Sequence, residues 1–187
     1  MTKLNLFSTP VIVFDVPFHE EICERIIHFS NSNFFPWKKQ VSLWDIKDRD
    51  PAIARLHDFY LDCASQYCNS IFNTEEFLPD SFSHVMGWIN TNSRNGWTRP
   101  HNHRATELTG TYYIKVPDNS GSLMLVDPRP GLNWIRYNGK DYTENMYEIK
   151  PKNGQLIMFP GWLLHYVDIN RSSEERISLT SNINIRR

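Results

Sequence analysis

The chain has 187 residues, with 20 Lys plus Arg against 21 Asp plus Glu and a formal net charge of −1. That length supports a hydrophobic core without disulfide or metal staples, and the balanced charge excludes a large basic footprint for nucleic acid. No apolar run approaches the roughly 18 residues that a membrane span needs, and no leader with a small-residue cleavage site is visible, so a cytoplasmic protein with no membrane partner is expected.

In chain order, residues 10–16 (PVIVFDV) read as a strand. Residues 18–31 carry Ile22, Ile26, Ile27 and Phe29 at helical spacing. A second helix is expected over 51–72, because Pro51 follows Asp50 and Leu56, Phe59, Tyr60, Cys63, Ala64 and Tyr67 recur at three- and four-residue steps. Cys23, Cys63 and Cys68 fall in these helices without Cys-x-x-Cys spacing, which predicts free thiols in a reducing compartment.

After Pro79 the pattern changes to short strands, expected at 82–90, 98–103, 109–116, 122–127, 133–137, 145–149, 155–159, 164–169 and 176–184. Turn clusters separate them, among them Asn95-Gly96, the 117–121 run PDNSG, the 127–131 run DPRPG, Asn138-Gly139 and Asn153-Gly154. Strands at this spacing suggest a sandwich or barrel. The amphipathic helices need a partner surface, so residues 1–187 are expected to form one domain. Residues 1–80 would be its helical support and 81–187 its β core.

The chemistry concentrates in Arg99-Pro100-His101-Asn102-His103. On a strand, residues i and i+2 point the same way, so both imidazoles would share a face. Two neutral imidazoles side by side suit a borderline metal, although a lone His-x-His also fits two solvated histidines on an edge strand. Residues 154–165 (GQLIMFPGWLLH) then place His165 at the start of a returning strand, and Arg176 with Ser178 follows eleven residues later. An Arg facing an apolar barrel interior is costly unless it meets an anion, and its fork matches a carboxylate.

His-x-His, a distal His and Arg-x-Ser in this order resemble the iron and 2-oxoglutarate-dependent oxygenases. PHNH, TGTYYIKVPDNSG, VDPRP, GQLIMFPGWLLHYV and RISLTSNIN are similar, more narrowly, to small 2-oxoglutarate-Fe(II) oxygenases of phages and marine bacteria, within the prolyl hydroxylase-like superfamily. The resemblance covers residues 84–184. It implies a mainly β fold with N-terminal helices, a double-stranded β-helix (jelly roll or cupin-like barrel). It also implies a dioxygenase that uses Fe(II), 2-oxoglutarate and O2, with hydroxylation of a protein side chain or small molecule as the expected outcome. By the same resemblance His101, His103 and His165 hold the metal, and Arg176 binds the far carboxylate of 2-oxoglutarate with Ser178, Asn90 and Tyr113 nearby. Proteins of this fold often dimerise, so a homodimer is compatible with it.

The chain departs from the superfamily in one place: His103 stands where a carboxylate is usual. Three ligand sets follow, namely three His, a set in which Glu107 displaces one His, or two protein ligands with an extra open position. Glu107 also opens a rival reading. Gly96, His101, His103 and Glu107, followed by Gly154, Pro160 and His165, resemble the two cupin motifs, which bind metal without 2-oxoglutarate. Arg176-x-Ser178, and Trp162 in place of a cupin glycine, favour the oxygenase. A non-catalytic metal-binding or structural protein is a further alternative. His19, His28, His57 and His84 lack ligand spacing and are expected as surface or satisfied positions.

Overall fold

The structure, a computed structural model, describes residues 8–31, 42–129, 136–137, 140–141 and 146–186. Strand β1 (Ile12–Asp15) leads to helix α1 (His19–Asn31), a 3-10 helix (Leu43–Arg49), helix α2 (Pro51–Phe72) and a short 3-10 turn (Pro79–Ser81). Strands β2 (Phe82–Asn92), β3 (Thr98–His101), β4 (Leu108–Lys115), β5 (Leu123–Val126), β6 (Arg136–Tyr137), β7 (Lys140–Asp141), β8 (Met146–Ile149), β9 (Gln155–Pro160), β10 (His165–Val167) and β11 (Arg176–Ile185) follow. Of the strand expected over 133–137, residues 133–135 lie outside the described residues.

The strands form a five-stranded sheet in the order β1-β9-β4-β11-β2 and a four-stranded sheet in the order β3-β10-β5-β8, while among the described residues β6 and β7 pair with each other. Every pairing is antiparallel. Tyr113, Ile157 and Phe159 of the larger sheet pack with Leu123 and Leu125 of the smaller one, so the two sheets face each other across a shared core. This is a sandwich, as the strand spacing predicts, and the jelly-roll arrangement that the family resemblance implies.

The helices cover the other face of the larger sheet. Ile22, Ile26, Ile53, Leu56 and Tyr60 are buried against Tyr112, Leu156, Met158, Leu179 and Ile183. Each fully buried aliphatic side chain there contributes about 1.5–3 kcal/mol relative to exposure. Helix α2 starts where the sequence places it, because the Asp50 carboxylate accepts from the Ala52 and Ile53 N–H groups. Arg25 of α1 pairs with the same carboxylate, which ties the two helices together. The 3-10 helix at 43–49 was not expected from periodicity, being too short to repeat a pattern. It inserts Trp44, whose Nε1 donates to Ser181 Oγ at 3.0 Å. Gly87 makes this insertion feasible, since a Cβ there would lie 2.3 Å from the indole nitrogen.

Strict alternation on the larger sheet decides what reaches the interior. Along β11, Ile177, Leu179 and Ile183 face the helices, whereas Arg176, Ser178 and Thr180 line a cavity between the sheets. Along β4, Tyr112 faces the helices and Tyr113 the cavity.

Candidate metal centre and adjoining cavity

Three histidines converge at one end of the cavity. Antiparallel pairing sets His165 of β10 directly opposite His101 of β3, with ring centroids 4.4 Å apart. His103 is not on the strand, which ends at His101. It is brought in by the turn that follows, where its N–H donates to the Gly161 carbonyl at 2.8 Å. The same-face reasoning from the sequence therefore reaches the right convergence by a different geometry. Pro100 removes one backbone donor, and β3 ends a residue later, before His103.

The rings of His103 and His165 are stacked at 5.1 Å and 6°, and their Nε2 atoms lie 3.3 Å apart. One ligand atom from each of His101, His103 and His165 falls within 4.8 Å of the others. The tautomers are set by backbone. A carbonyl only accepts, so the Nδ1–H of His101 donates to Arg99 O at 2.7 Å and that of His165 to Leu163 O at 2.8 Å. Both Nε2 lone pairs are thereby left for a metal. Burial, with the neighbouring His101, lowers His103 to about 4 against an opposing hydrogen bond to Asn182. Burial also lowers His165 to about 4, opposed by its bond to Leu163. Both are neutral near pH 7, as a metal ligand must be.

Gly161 locks the two histidine-bearing turns together. It accepts from His103 N, and its own N–H donates to Glu107 O at 3.0 Å. A Cβ at this position would lie 2.3 Å from the Thr106 carbonyl oxygen, so the close approach needs glycine. Glu107 does not join the cluster: among the described residues the group of converging ligand atoms contains the three histidines alone, and Glu107 lines a separate groove.

The other end of the cavity belongs to Arg176, which is 1% exposed. One terminal nitrogen donates to Asn92 Oδ1 at 3.0 Å and the other to Gly121 O at 3.3 Å, both neutral acceptors. Its Nε is buried without a partner, and so is the Tyr113 hydroxyl, whose ring lies 6.0 Å from the guanidinium. Among the described residues no carboxylate pairs with Arg176. Burial pulls its guanidinium downward and pushes the Tyr113 phenol up to about 12. A buried cation with neutral partners and two orphaned donors is matched by an anion carrying several acceptor oxygens. A dicarboxylate with one end on Arg176 and the other on the metal fits this donor set.

The cavity also holds Ser178 and Asn90. Asn90 Nδ2 donates to Thr180 Oγ1 at 3.0 Å, and Thr180 in turn meets Thr111 at 3.3 Å. The sequence-predicted residues His101, His103, His165, Arg176, Ser178, Asn90 and Tyr113 thus share one cavity. Two neighbours stand outside the sequence-predicted set. Asn92 lies opposite Arg176 in the β2–β11 register and bonds it directly; the i, i+2 step from Asn90 is the signal that could have found it. Trp88 stacks on His103 at 5.6 Å and donates to Asn90 Oδ1 at 3.1 Å, and the same two-residue step backwards leads to it.

A family model described as "Putative 2OG-Fe(II) oxygenase" matches residues 86–182. No curated relative matches the chain in sequence. Among solved structures, the chain is similar to the non-heme alpha ketoglutarate dependent epimerase SnoN from nogalamycin biosynthesis, with a TM-score of 0.63, 13% identity and coverage of 95% of this chain and 78% of that one. It is similar to a Pseudomonas putida prolyl-4-hydroxylase, with a TM-score of 0.59, 15% identity and coverage of 97% and 91%. It is similar also to HygX from Streptomyces hygroscopicus, in a structure with nickel and 2-oxoglutarate bound, with a TM-score of 0.61, 10% identity and coverage of 95% and 83%. At these identities the likeness establishes the double-stranded β-helix.

Proposed function

The chain belongs to the 2OG-Fe(II) oxygenase family, and from that premise we propose that it hydroxylates a C–H bond of a protein side chain or small molecule at an iron held by His101, His103 and His165. Fe(II) and 2-oxoglutarate, when bound, supply O2 activation coupled to decarboxylation of 2-oxoglutarate to succinate and CO2. The residues of this chain do the rest. His101 and His165 present Nε2 lone pairs fixed by their backbone-bonded Nδ1–H groups. Arg176 would take the far carboxylate, with Tyr113 and Ser178 lining the same cavity. Asn92 and the Gly121 carbonyl hold the guanidinium in place. Leu125, Phe159 and Leu163, all buried, keep water from the wall behind the histidines.

The single observation that carries this reading is Arg176, a buried guanidinium without a carboxylate partner among the described residues, in the same cavity as three converging imidazoles. A cupin site would need neither this cation nor the loss of Glu107 from the ligand cluster. We take residues 1–187 as one unit, with the helices supporting the larger sheet. No helix among the described residues is long and apolar enough to cross a membrane, and the free, buried Cys63 and Cys68 suit a reducing cytoplasm.

The test is incubation with Fe(II), 2-oxoglutarate, O2 and fractionated peptides or metabolites, read by mass spectrometry. Succinate release with gain of one oxygen atom in a product, both lost in Arg176→Ala, is the expected result. Succinate release accompanied only by products lacking added oxygen would replace hydroxylation with another oxidation.

A further inference from the structure

The inward face of β11 does not end at the cavity. Beyond Thr180, Asn182 bonds Thr109 and His103, and Asn184 and Arg186 carry the same alternation into an open groove of about 860 Å3. The 102–107 loop forms the facing wall, and His103 lines both the groove and the cavity. A molecule lying in the groove would meet His103, the one of the three converging histidines that lines it.

Three side chains give the groove its chemistry. Arg104 directly follows His103 and is exposed. Arg186 is exposed as well and uses its Nε on the Phe82 carbonyl at 2.8 Å, which leaves its two terminal nitrogens available. Among the described residues neither guanidinium is paired with a carboxylate. Trp162 is 51% exposed, and it follows Gly161, whose backbone bonds to His103 and Glu107 fix the peptide that carries it against the loop. A scattered surface arginine is ordinarily just solvated. Two of them on one groove, with an exposed indole and a candidate metal-ligating histidine in the wall, make a recognition surface: guanidinium forks match anionic oxygens, and an indole offers a flat apolar platform.

We propose that this groove is the substrate site, and that it selects a substrate whose carboxylate or phosphate is held by Arg104 and Arg186 while an apolar body lies on Trp162. The assignment rests on the iron and 2-oxoglutarate reading above. It places the charged group beyond His103 and leaves the apolar body to approach the metal.

Ligand-observed NMR on the zinc(II)-loaded protein tests it, at saturating 2-oxoglutarate so that Arg176 is already occupied. The probes are 3-phenylpropionate, phenethyl phosphate and, as a neutral control, 3-phenylpropionamide. At least one anion is expected to bind and the amide not to, with the tighter anion identifying the acid group. Arg104→Gln with Arg186→Gln is expected to weaken that binding roughly tenfold or more, and Trp162→Ala to weaken it independently. The same variants are expected to retain 2-oxoglutarate binding. The proposal is overturned if neither anion binds, if the amide binds as well, or if binding is unchanged in the double variant. Failure of the wild-type protein to bind 2-oxoglutarate would instead sink the oxygenase site itself, so the two failures are separable.

Discussion

The two faces of the five-stranded sheet use the same strands to opposite ends. On the helix-covered face, Tyr60 donates to Leu179 O at 2.8 Å and the Tyr112 hydroxyl lies 2.6 Å from His19 Nδ1. His84 is fixed between Ser181 Oγ at 2.7 Å and His57 O at 3.1 Å. On the cavity face, one residue away along the same strands, the Tyr113 hydroxyl and Arg176 Nε have no partner among the described residues. Tyr112 and Tyr113 are adjacent and nearly equally buried, yet one is satisfied and the other is not. Polar groups on the first face stabilise the fold. On the second, the Tyr113 hydroxyl and Arg176 Nε are held ready for a ligand, and the fold bears the cost of leaving them unpaired.

The sharpest way to break this comparison is to truncate one residue on each face of β11. Leu179→Ala should destabilise the protein by about 2–5 kcal/mol in denaturant unfolding, since Leu179 is fully buried. It should leave 2-oxoglutarate affinity nearly unchanged. Arg176→Ala should do the reverse: removing a charge-assisted partner costs about 2–5 kcal/mol of binding, while stability of the ligand-free protein holds or rises because an unpaired buried charge is gone. Equal losses of stability from both variants would erase the distinction between the faces.

Next in size is Gly161→Ala. Its Cβ would collide with the Thr106 carbonyl and separate the His103 turn from His165. Metal affinity is expected to fall about 10–100-fold by competition titration with a chelator, in line with other changes to the residues that orient metal ligands. The tyrosine pair gives a smaller and finer contrast. Tyr112→Phe should cost about 1 kcal/mol of stability through its lost hydrogen bond, whereas Tyr113→Phe should be neutral or stabilising without ligand and weaken 2-oxoglutarate binding.

The smallest effect concerns pH. Burial, helped by the neighbouring His57, lowers His84 to about 3. Its folded value lies below the unfolded value of about 6.5, so the unfolded chain binds more protons in between. The stability that this neutral histidine confers is complete above pH about 6.5 and is lost as pH falls toward 3. His84→Gln should flatten the fall of the melting temperature over that window. An unchanged slope would assign it to other groups, His103 and His165 first among them.

Much of this was legible in the sequence because it depends on alternation. The strands of β2, β4, β9 and β11, and the shared face of Arg176 and Ser178, follow from a period of two and a Gly- or Asn-marked turn at each break, whereas the choice of Tyr113 over Tyr112 rests on the family resemblance. The helix over 51–72 follows from its cap and its apolar stripe. What alternation does not govern was missed. His103 reaches the cluster through a turn anchored on Gly161, not through strand geometry. The 3-10 helix that buries Trp44 is too short for a period. Asn92 and Trp88 were readable in principle, lying two residues to either side of Asn90, but their roles depend on which residues face them across the β2–β11 register and the cavity.

The central claim is that three histidines and one arginine hold iron and 2-oxoglutarate together in this cavity. It is tested most directly by adding Fe(II) and 2-oxoglutarate to the protein without oxygen and recording the visible absorption spectrum. The account predicts a charge-transfer band of chelated 2-oxoglutarate in the wild type. The band should be lost in His101→Ala, His103→Ala, His165→Ala and Arg176→Ala, and kept in Glu107→Ala. Tight iron binding without a band at saturating 2-oxoglutarate, or a band that survives His103→Ala and disappears in Glu107→Ala, would contradict it.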